Sequence, residues 1–215
     1  MIKTIVKVID FMLPPVCPVC NRNVIDPGKE LVCRDCYYQM SFDFVDIGYR
    51  RRLGLADVYF PLRYSDRVKG LMKLFKFENF TSIGKFFANA MYNKVLSEGM
   101  EFDIITYIPS HPARIREKGS YPTKYLAKEI SRLSGKPVEK LLKATRYRSS
   151  QTGARDRRRN VEGAFEALME GNPQERILLI DDVITTGATM MEAIMELRRA
   201  GFRNITGLTA AGKPE

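Results

Sequence analysis

Apolar residues in this chain occur in two patterns: short continuous runs, and longer stretches with a period of three to four residues. Continuous runs bounded by turn residues predict buried strands, whereas the longer period predicts amphipathic helices. The predicted strands are 58–62, 103–108, 177–180 and 205–210, and the predicted helices are 67–77, 82–97, 123–133 and a stretch from Met190 to Leu197 that ends before Gly201. This alternation predicts an α/β domain in which helices flank a parallel sheet.

The first fifty residues differ in pattern from the rest. Residues 2–13 have apolar side chains at helical spacing, and Lys7 and Asp10 interrupt what would otherwise resemble a signal-peptide core. We therefore expect a short amphipathic helix that packs on the body, with no membrane insertion and a cytoplasmic location. Glycines and arginines at 48–56 break the apolar pattern, which predicts a domain boundary. The predicted domains are 1–50, a helix with a small module, and 51–215.

The apolar run at 177–180 leads into the segment with the clearest chemistry. Asp181 and Asp182 follow the strand, where parallel sheets place their ligands, and two adjacent carboxylates are costly there without a partner. Gly187 permits positive φ, and the N–H groups and hydroxyls that open the next helix favour a phosphate. Together they indicate a sugar-phosphate site. Its predicted residues are Asp181, Asp182, Thr185, Thr186, Gly187, Ala188 and Thr189.

Two other interpretations of this segment are available. One is an ordinary strand-to-helix turn with an aspartate N-cap, which a match of this length makes the weaker interpretation. The other is a P-loop, which is excluded because no Gly-Lys-Ser/Thr follows a glycine-rich run.

All four cysteines of the chain lie near its N-terminus as two Cys-x-x-Cys pairs, twelve residues apart. This spacing can bring four thiolates around one tetrahedral zinc ion, in a closed site suited to folding or partner binding rather than catalysis. The alternatives are two disulfides, disfavoured without a secretion signal, or a redox motif, disfavoured because the motif is duplicated. The predicted ligands are Cys17, Cys20, Cys33 and Cys36.

Positive charge is concentrated in one quarter of the chain. The chain has a net charge of +10, and residues 111–160 hold fifteen Lys or Arg and four acidic residues, a net +11. Such a segment attracts polyanions: pyrophosphate, nucleotides or nucleic acid. A solvated helix face explains Lys124, Lys128, Arg132 and Lys136 equally well. The cluster predicted to bind nucleic acid is Arg155, Arg157, Arg158 and Arg159.

The segment from Ile177 to Thr189 closely resembles the phosphoribosyl pyrophosphate (PRPP) signature of type I phosphoribosyltransferases. The resemblance implies that Asp181 and Asp182 hold the ribose hydroxyls and that residues 185–189 cradle the 5′-phosphate. It also implies magnesium, bound through pyrophosphate and ribose oxygens. Displacement at the anomeric carbon then depends mostly on positioning and on stabilising the departing pyrophosphate.

Other motifs narrow the resemblance to the ComF family and extend it over nearly the whole chain. They are the cysteine pairs, Pro109-Ser110-His111-Pro112-x-Arg114-x-Arg116-Glu117-Lys118-Gly119, Gln151-Thr152-Gly153, and Arg158-x-Asn160-Val161-x-Gly163-Ala164-Phe165. Members of that family are associated with natural competence, where they act on incoming single-stranded DNA, or with use of DNA as a nutrient. The resemblance therefore implies single-stranded DNA and a competence helicase or DNA-processing protein as partners.

His111 is the single histidine of the chain and follows the predicted strand at 103–108. Phosphate contact and an ordinary turn role are equally compatible with its position, and Arg114 and Arg116 are better phosphate ligands by side-chain chemistry. Tyr107, Tyr121 and Tyr125 could stack on bases, although core packing is the commoner use of tyrosine.

Three functions remain open. The first is a PRPP-binding ComF-type protein that handles single-stranded DNA during uptake. The second is a phosphoribosyltransferase that acts on a nucleobase in salvage, and the third is a PRPP-sensing regulator. The third ranks last because the sequence has no recognisable base-reading element. Whether the protein is an enzyme, and with which acceptor, stays open.

Overall fold

The structure is a computed structural model. It describes residues 16, 17, 19, 20, 22, 33, 35, 36, 38, 43–46, 49–77, 81–111, 121–145 and 163–213. The elements in chain order are β1 (Arg50–Leu53), β2 (Ala56–Tyr59), β3 (Leu62–Arg63), α1 (Asp66–Phe77), α2 (Thr81–Ser97), β4 (Ile104–Tyr107), α3 (Pro122–Ser134), β5 (Leu142–Ala144), β6 (Phe165–Ala167), β7 (Arg176–Ile184), α4 (Ala188–Arg199) and β8 (Asn204–Gly212).

Six of these strands form one sheet in the described part of the chain, in the order β1-β2-β8-β7-β4 with β3 also paired to β8. The pairs made by β8 with β2, β3 and β7 are parallel, as is the pair of β4 with β7, and only the β1–β2 hairpin is antiparallel. β5 and β6 form a separate antiparallel pair. A mainly parallel sheet is therefore confirmed.

Side chains of β7 alternate between two apolar clusters, one on each face of the sheet. Leu178 and Ile180 pack in the cluster that contains residues of α1, α2 and α3, whereas Ile177 and Leu179 pack in the cluster that contains residues of α4. All four side chains are buried. This confirms the prediction of a strand buried on both faces, with helices on either side of it.

Most predicted elements are present with boundaries shifted by one or two residues, and two strands differ. The run 58–62 is interrupted at Phe60 and Pro61, because proline has no N–H to donate to the ladder. The two parts keep one register on β8, with Val58 opposite Gly207 and Leu62 opposite Ala211. The second difference is β7, which continues beyond the predicted end at 180.

The segment 43–46 is anchored to the main sheet and its helices. Phe44 forms an antiparallel bridge with Leu62, and the N–H of Val45 donates to the Pro61 carbonyl at 2.9 Å. The buried ammonium of Lys94 on α2 donates to the carbonyl of Asp46 at 2.8 Å and pairs with Glu98.

The division into domains near residue 50 stays a prediction, and the predicted helix at 2–13 lies outside the described residues. None of the described helices combines the length and apolar character that a bilayer span requires.

A charged cluster joins the starts of β4 and β7 at the edge of the sheet where both strands begin. Arg176 donates to Asp103 through Nε at 2.9 Å and Nη2 at 2.7 Å, and it also pairs with Glu101. These hydrogen bonds, with that from the Arg176 backbone, hold the pKa of Asp103 well below its usual range.

We therefore predict that Asp103 makes folding more sensitive to acid. A carboxylate whose pKa is lowered by folding stabilises the native state above its unfolded pKa of about 4, and this stabilisation is lost as the pH falls further. The free energy of unfolding, measured in urea at pH 6 and pH 3, should fall less in Asp103→Asn than in the wild type. Exposed Glu170 gives the control, Glu170→Gln, and equal pH dependence in all three proteins would contradict the prediction.

Candidate functional site

The acidic pair lies at the carboxyl end of β7, as predicted, but inside the strand rather than in the loop after it. Asp181 pairs in register with Thr209 of β8, and the strand continues to Ile184. The N–H of Asp182 donates to Oδ1 of Asp181 at 2.8 Å. The pairing with β8 therefore fixes the backbone of Asp181 more firmly than a loop would.

The phosphate-binding loop predicted from the sequence connects β7 to α4. Gly187 has φ of 80° at the N-cap of α4, and its carbonyl accepts the N–H of Met191 at 2.8 Å. A Cβ at Gly187 would lie 2.9 Å from Leu53 on β1, so both conformation and space favour glycine. Thr186 is exposed, and Thr185, Ala188 and Thr189 are half-buried. The start of a helix with an accessible hydroxyl can accept an anion.

The β1–β2 hairpin holds this loop from the edge of the sheet. Arg51 on β1 donates through Nη1 to the carbonyl of Thr185 at 2.5 Å. Sequence reasoning missed this contact, because nothing in the local arginine run singles out Arg51 among Arg50, Arg51 and Arg52.

The chain after β4 runs beside the acidic pair. The N–H of Ile108 donates to the carbonyl of Ile180 at 2.9 Å, and the hydroxyl of buried Thr123 donates to the carbonyl of Ile108, also at 2.9 Å. Half-buried His111 follows three residues later. Ile108, three residues before His111, therefore lies against Ile180, the residue before Asp181. Arg114 and Arg116 lie outside the described residues.

Lys76 is the second residue of this edge that sequence reasoning missed. Its Nζ lies 2.7 Å from Oδ1 of Asp182, and it reaches the strand from the last turn of α1. Burial lowers the pKa of Lys76, but the carboxylates of Asp182 and Asp181 raise it more. The ammonium therefore keeps its proton, and it faces the pair of negative charges.

The three tyrosines considered for base stacking pack against other rings. Tyr107 is buried and contacts Tyr121 edge to face at a centroid distance of 5.4 Å. Tyr125 contacts Phe75 in the same geometry at 5.7 Å. Burial and Tyr107 raise the pKa of Tyr121 to about 12, so its phenol stays protonated at neutral pH. Core packing is confirmed for these rings.

The four cysteines converge as predicted. The sulfurs of Cys20 and Cys33 are 3.6 Å apart, and the ligand atoms of all four cysteines lie within 4.8 Å of one another. Four sulfurs at about 2.3 Å from a tetrahedral zinc are separated by about 3.8 Å, so the arrangement suits such an ion. Cys17 and Cys36 are buried in the same apolar cluster as α1 to α3. The site could hold a metal ion such as zinc.

Arg22 supports this cluster from outside. Hydrogen bonds from its backbone and its guanidinium lower the pKa of Cys20 to about 6, which favours the thiolate that binds metals. Burial raises the pKa of Cys36 instead. Arg22 also pairs with Asp35 at 2.9 Å, which links the first Cys-x-x-Cys pair to the second.

The arginine cluster Arg155, Arg157, Arg158 and Arg159 lies outside the described residues, but the chain on both sides of it is described. The N–H of Thr145 donates to the carbonyl of Ala164 at 3.0 Å, so the described residues on the two sides are hydrogen-bonded to each other. The N–H of Gly163 donates to buried Glu192 on α4 at 2.7 Å. Gly163 is thereby joined to α4, the helix that follows the predicted phosphate-binding loop.

A protein named competence protein F, from Haemophilus influenzae, is 30% identical to this chain over 152 residues. The aligned part covers 66% of this chain and 66% of that protein. The chain belongs to the ComF family. No protein-family model matches it. The ComF resemblance seen in the sequence is thus confirmed.

Solved structures similar to this ComF-family chain include a PRPP amidotransferase and several phosphoribosyltransferases. A PRPP amidotransferase from B. subtilis is 21% identical, with a TM-score of 0.42 over 60% of this chain and 26% of that chain. Adenine phosphoribosyltransferase from Thermoanaerobacter pseudethanolicus is 10% identical, with a TM-score of 0.39 over 80% of this chain and 99% of that chain. In the described part of the chain, the mainly parallel sheet with flanking helices and the four-cysteine cluster are as predicted.

We predict that the purified ComF-family protein holds one zinc ion per chain and that Cys36→Ser loses it. Removing a buried thiolate breaks the tetrahedral set, and because structural zinc contributes to folding, the melting temperature should also fall. Zinc is measured by atomic emission, and unfolding by circular dichroism. Asp35→Asn, which removes only the exposed pair with Arg22, should keep its zinc. An unchanged zinc content in Cys36→Ser would contradict the prediction.

Proposed function

We propose that this protein binds PRPP with magnesium and handles single-stranded DNA in the cytoplasm during natural competence. The observation that carries the proposal is the carboxyl end of β7, where a half-buried acidic pair stands before a helix whose N-cap glycine has positive φ. Its relative in Haemophilus influenzae is named for competence.

Each part of the edge has a role in this proposal. Asp181 and Asp182 accept hydrogen bonds from the ribose 2′ and 3′ hydroxyls, and residues 185–189 donate to the 5′-phosphate. His111 and Arg114 contact the pyrophosphate from the β4 side. Magnesium, when bound with PRPP, would neutralise charge on the pyrophosphate. Arg51 keeps the loop in place by holding the Thr185 carbonyl.

Calorimetric titration of the zinc-loaded protein with PRPP and magnesium tests this site. Asp181→Asn combined with Asp182→Asn should weaken binding by at least about 100-fold, because hydrogen bonds to charged groups are worth about 1.5–3 kcal/mol each. A matched control, Asp66→Asn with Glu170→Gln, removes two exposed carboxylates elsewhere and should bind normally. Wild-type protein without magnesium-dependent affinity would contradict the proposal.

The DNA part of the proposal is supported by charge. Lys124, Lys128, Arg132 and Lys136 are all exposed along α3 and just after it, and Lys124 lies over the Tyr121 ring at 6.0 Å. Gly163, the first described residue after the arginine cluster, donates its N–H to Glu192 on α4, the helix that follows the proposed phosphate-binding loop. A cationic surface of this kind binds the phosphates of a single strand. A competence helicase is the protein partner that we propose, with the zinc module as a contact surface.

Reversal of Arg157, Arg158 and Arg159 to glutamate should abolish most single-strand affinity. Since each phosphate contact contributes about 0.7 to the salt slope for single strands, the slope should fall by about 2. Fluorescence anisotropy with a labelled oligonucleotide at several salt concentrations measures both effects. A control variant reverses the charge of three exposed cations elsewhere, Arg63, Lys73 and Arg203. It changes the net charge by the same amount and should reduce the affinity and the salt slope less. Equal losses in the two variants would contradict a specific role for the arginine cluster.

A second function is a phosphoribosyltransferase that acts on a nucleobase. The observation that favours it is the acidic pair itself, because a protein that only bound DNA would not need carboxylates at this edge. Release of pyrophosphate from PRPP with a nucleobase acceptor, absent in the Asp181→Asn, Asp182→Asn variant, would support it. If the protein binds PRPP but releases no pyrophosphate with any acceptor of a broad panel, this function is contradicted.

A further inference from the structure

Lys76 and Asp182 form an ion pair at the edge of the sheet where the proposed ligand binds. The Nζ–Oδ1 distance is 2.7 Å, and the two side chains are only 26% and 17% exposed. Solvent and salt screen a pair with so little exposure much less than a surface pair. The pair also joins α1 to β7, because Lys76 is the basic residue in the last turn of that helix.

The ammonium of Lys76 offsets part of the negative charge of the acidic pair. Asp181 and Asp182 are adjacent in one strand, and the hydrogen bond from the N–H of Asp182 to Asp181 adds no formal positive charge. Lys76 supplies a full positive charge within contact distance of Asp182. Among the described residues, Lys76 and the two carboxylates together carry a net charge of −1, whereas the two carboxylates alone would carry −2. PRPP itself is a polyanion, so this difference decides how strongly the site repels or attracts its ligand.

We propose that Lys76 is the built-in counter-ion of the acidic pair. Because the Lys76 ammonium is paired with Asp182 in the unliganded protein, the two aspartates do not bind a divalent cation by themselves. Magnesium then binds together with the phosphates of the ligand. Lys76 also reduces repulsion between the carboxylates and an anionic ligand. It is a positioning residue, since it acts through Asp182. The statement about the ligand rests on the proposed function, whereas the statement about free cations does not.

The first experiment uses Mn²⁺ alone as the probe, added to the zinc-loaded full chain and followed by electron paramagnetic resonance. Wild-type protein should show no site at this edge with a Kd below about 1 mM. Lys76→Gln should gain a site at least about 10-fold tighter, because an oxygen-rich pair with excess negative charge attracts a hard cation. Adding Asp182→Asn should remove that site again.

Two further variants separate charge from structure. Lys76→Arg keeps the positive charge and should behave as the wild type does. Lys73→Gln removes an exposed lysine from the same helix, three residues earlier, and should also leave Mn²⁺ binding unchanged. A purely structural role for Lys76 would change the melting temperature without creating a Mn²⁺ site, so that a folded Lys76→Gln lacking the site overturns the proposal.

The wild type alone also tests the proposal, which matters if Lys76→Gln does not fold. Submillimolar Mn²⁺ binding by wild-type protein that disappears in the Asp181→Asn, Asp182→Asn variant would show that the pair is an open cation site. That result would overturn the counter-ion assignment without any Lys76 variant.

The second experiment titrates PRPP with magnesium into the same proteins. Lys76→Gln should bind about 10- to 100-fold more weakly, because one nearby positive charge is lost. Lys76→Arg should stay within about threefold of the wild type, since the charge is kept. Equal PRPP affinity in a folded Lys76→Gln would overturn the role toward the ligand. If the wild type itself binds no PRPP, the proposed function fails, and the Mn²⁺ result still decides whether Lys76 is the counter-ion.

Discussion

The parallel pairing of β7 with β8 is the constraint on which the rest of the molecule depends. The two nine-residue strands run in register from the pair Arg176–Asn204 to the pair Ile184–Gly212. Both clusters of buried side chains contain residues of these strands. A shift of one residue in this register would turn every side chain of β7 to the opposite face. The same pairing sets where Asp181 lies and where the loop to α4 begins.

The proposed ligand edge is assembled from groups that arrive from different parts of the fold. Lys76 reaches Asp182 from α1, whereas Arg51 reaches the carbonyl of Thr185 from the hairpin at the end of the sheet. The acidic pair and the proposed phosphate-binding loop are adjacent in sequence, but each is contacted by a cation from a distant segment. The Lys76 ammonium offsets part of the negative charge of the carboxylates, and Arg51 restrains the loop. The loop therefore loses less conformational entropy when a ligand binds.

The cysteine cluster connects the N-terminal part of the chain to the same core. Cys17 and Cys36 are buried with side chains of α1, α2 and α3, and the carbonyl of Asp46 accepts a hydrogen bond from buried Lys94. A small module buries little apolar surface, and a metal held by the four thiolates would add stability to it. The cysteine cluster therefore packs against the same helices that cover one face of the sheet.

Much of this structure follows from local sequence patterns, and the errors have identifiable causes. The apolar period of α1 to α4 and the continuous apolar runs of β4 and β7 predicted those elements, since each pattern records which faces are buried. The split at Pro61 follows from the missing N–H of proline. The extension of β7 through Asp181 to Ile184 did not, because the acidic pair interrupts the apolar run while the backbone continues to pair with β8.

The chemical groups of the candidate sites can be recognised from local sequence. They are two carboxylates before a helix start that carries hydroxyls, four cysteines at metal-binding spacing, and basic residues concentrated in one segment. The cations that contact the acidic pair and the following loop are selected by tertiary packing. Lys76 and Arg51 lie more than a hundred residues before their partners, and nothing in their own neighbourhoods separates them from other basic residues. Their selection depends on how the sheet and α1 pack, because an ion pair or a hydrogen bond requires contact within a few ångströms.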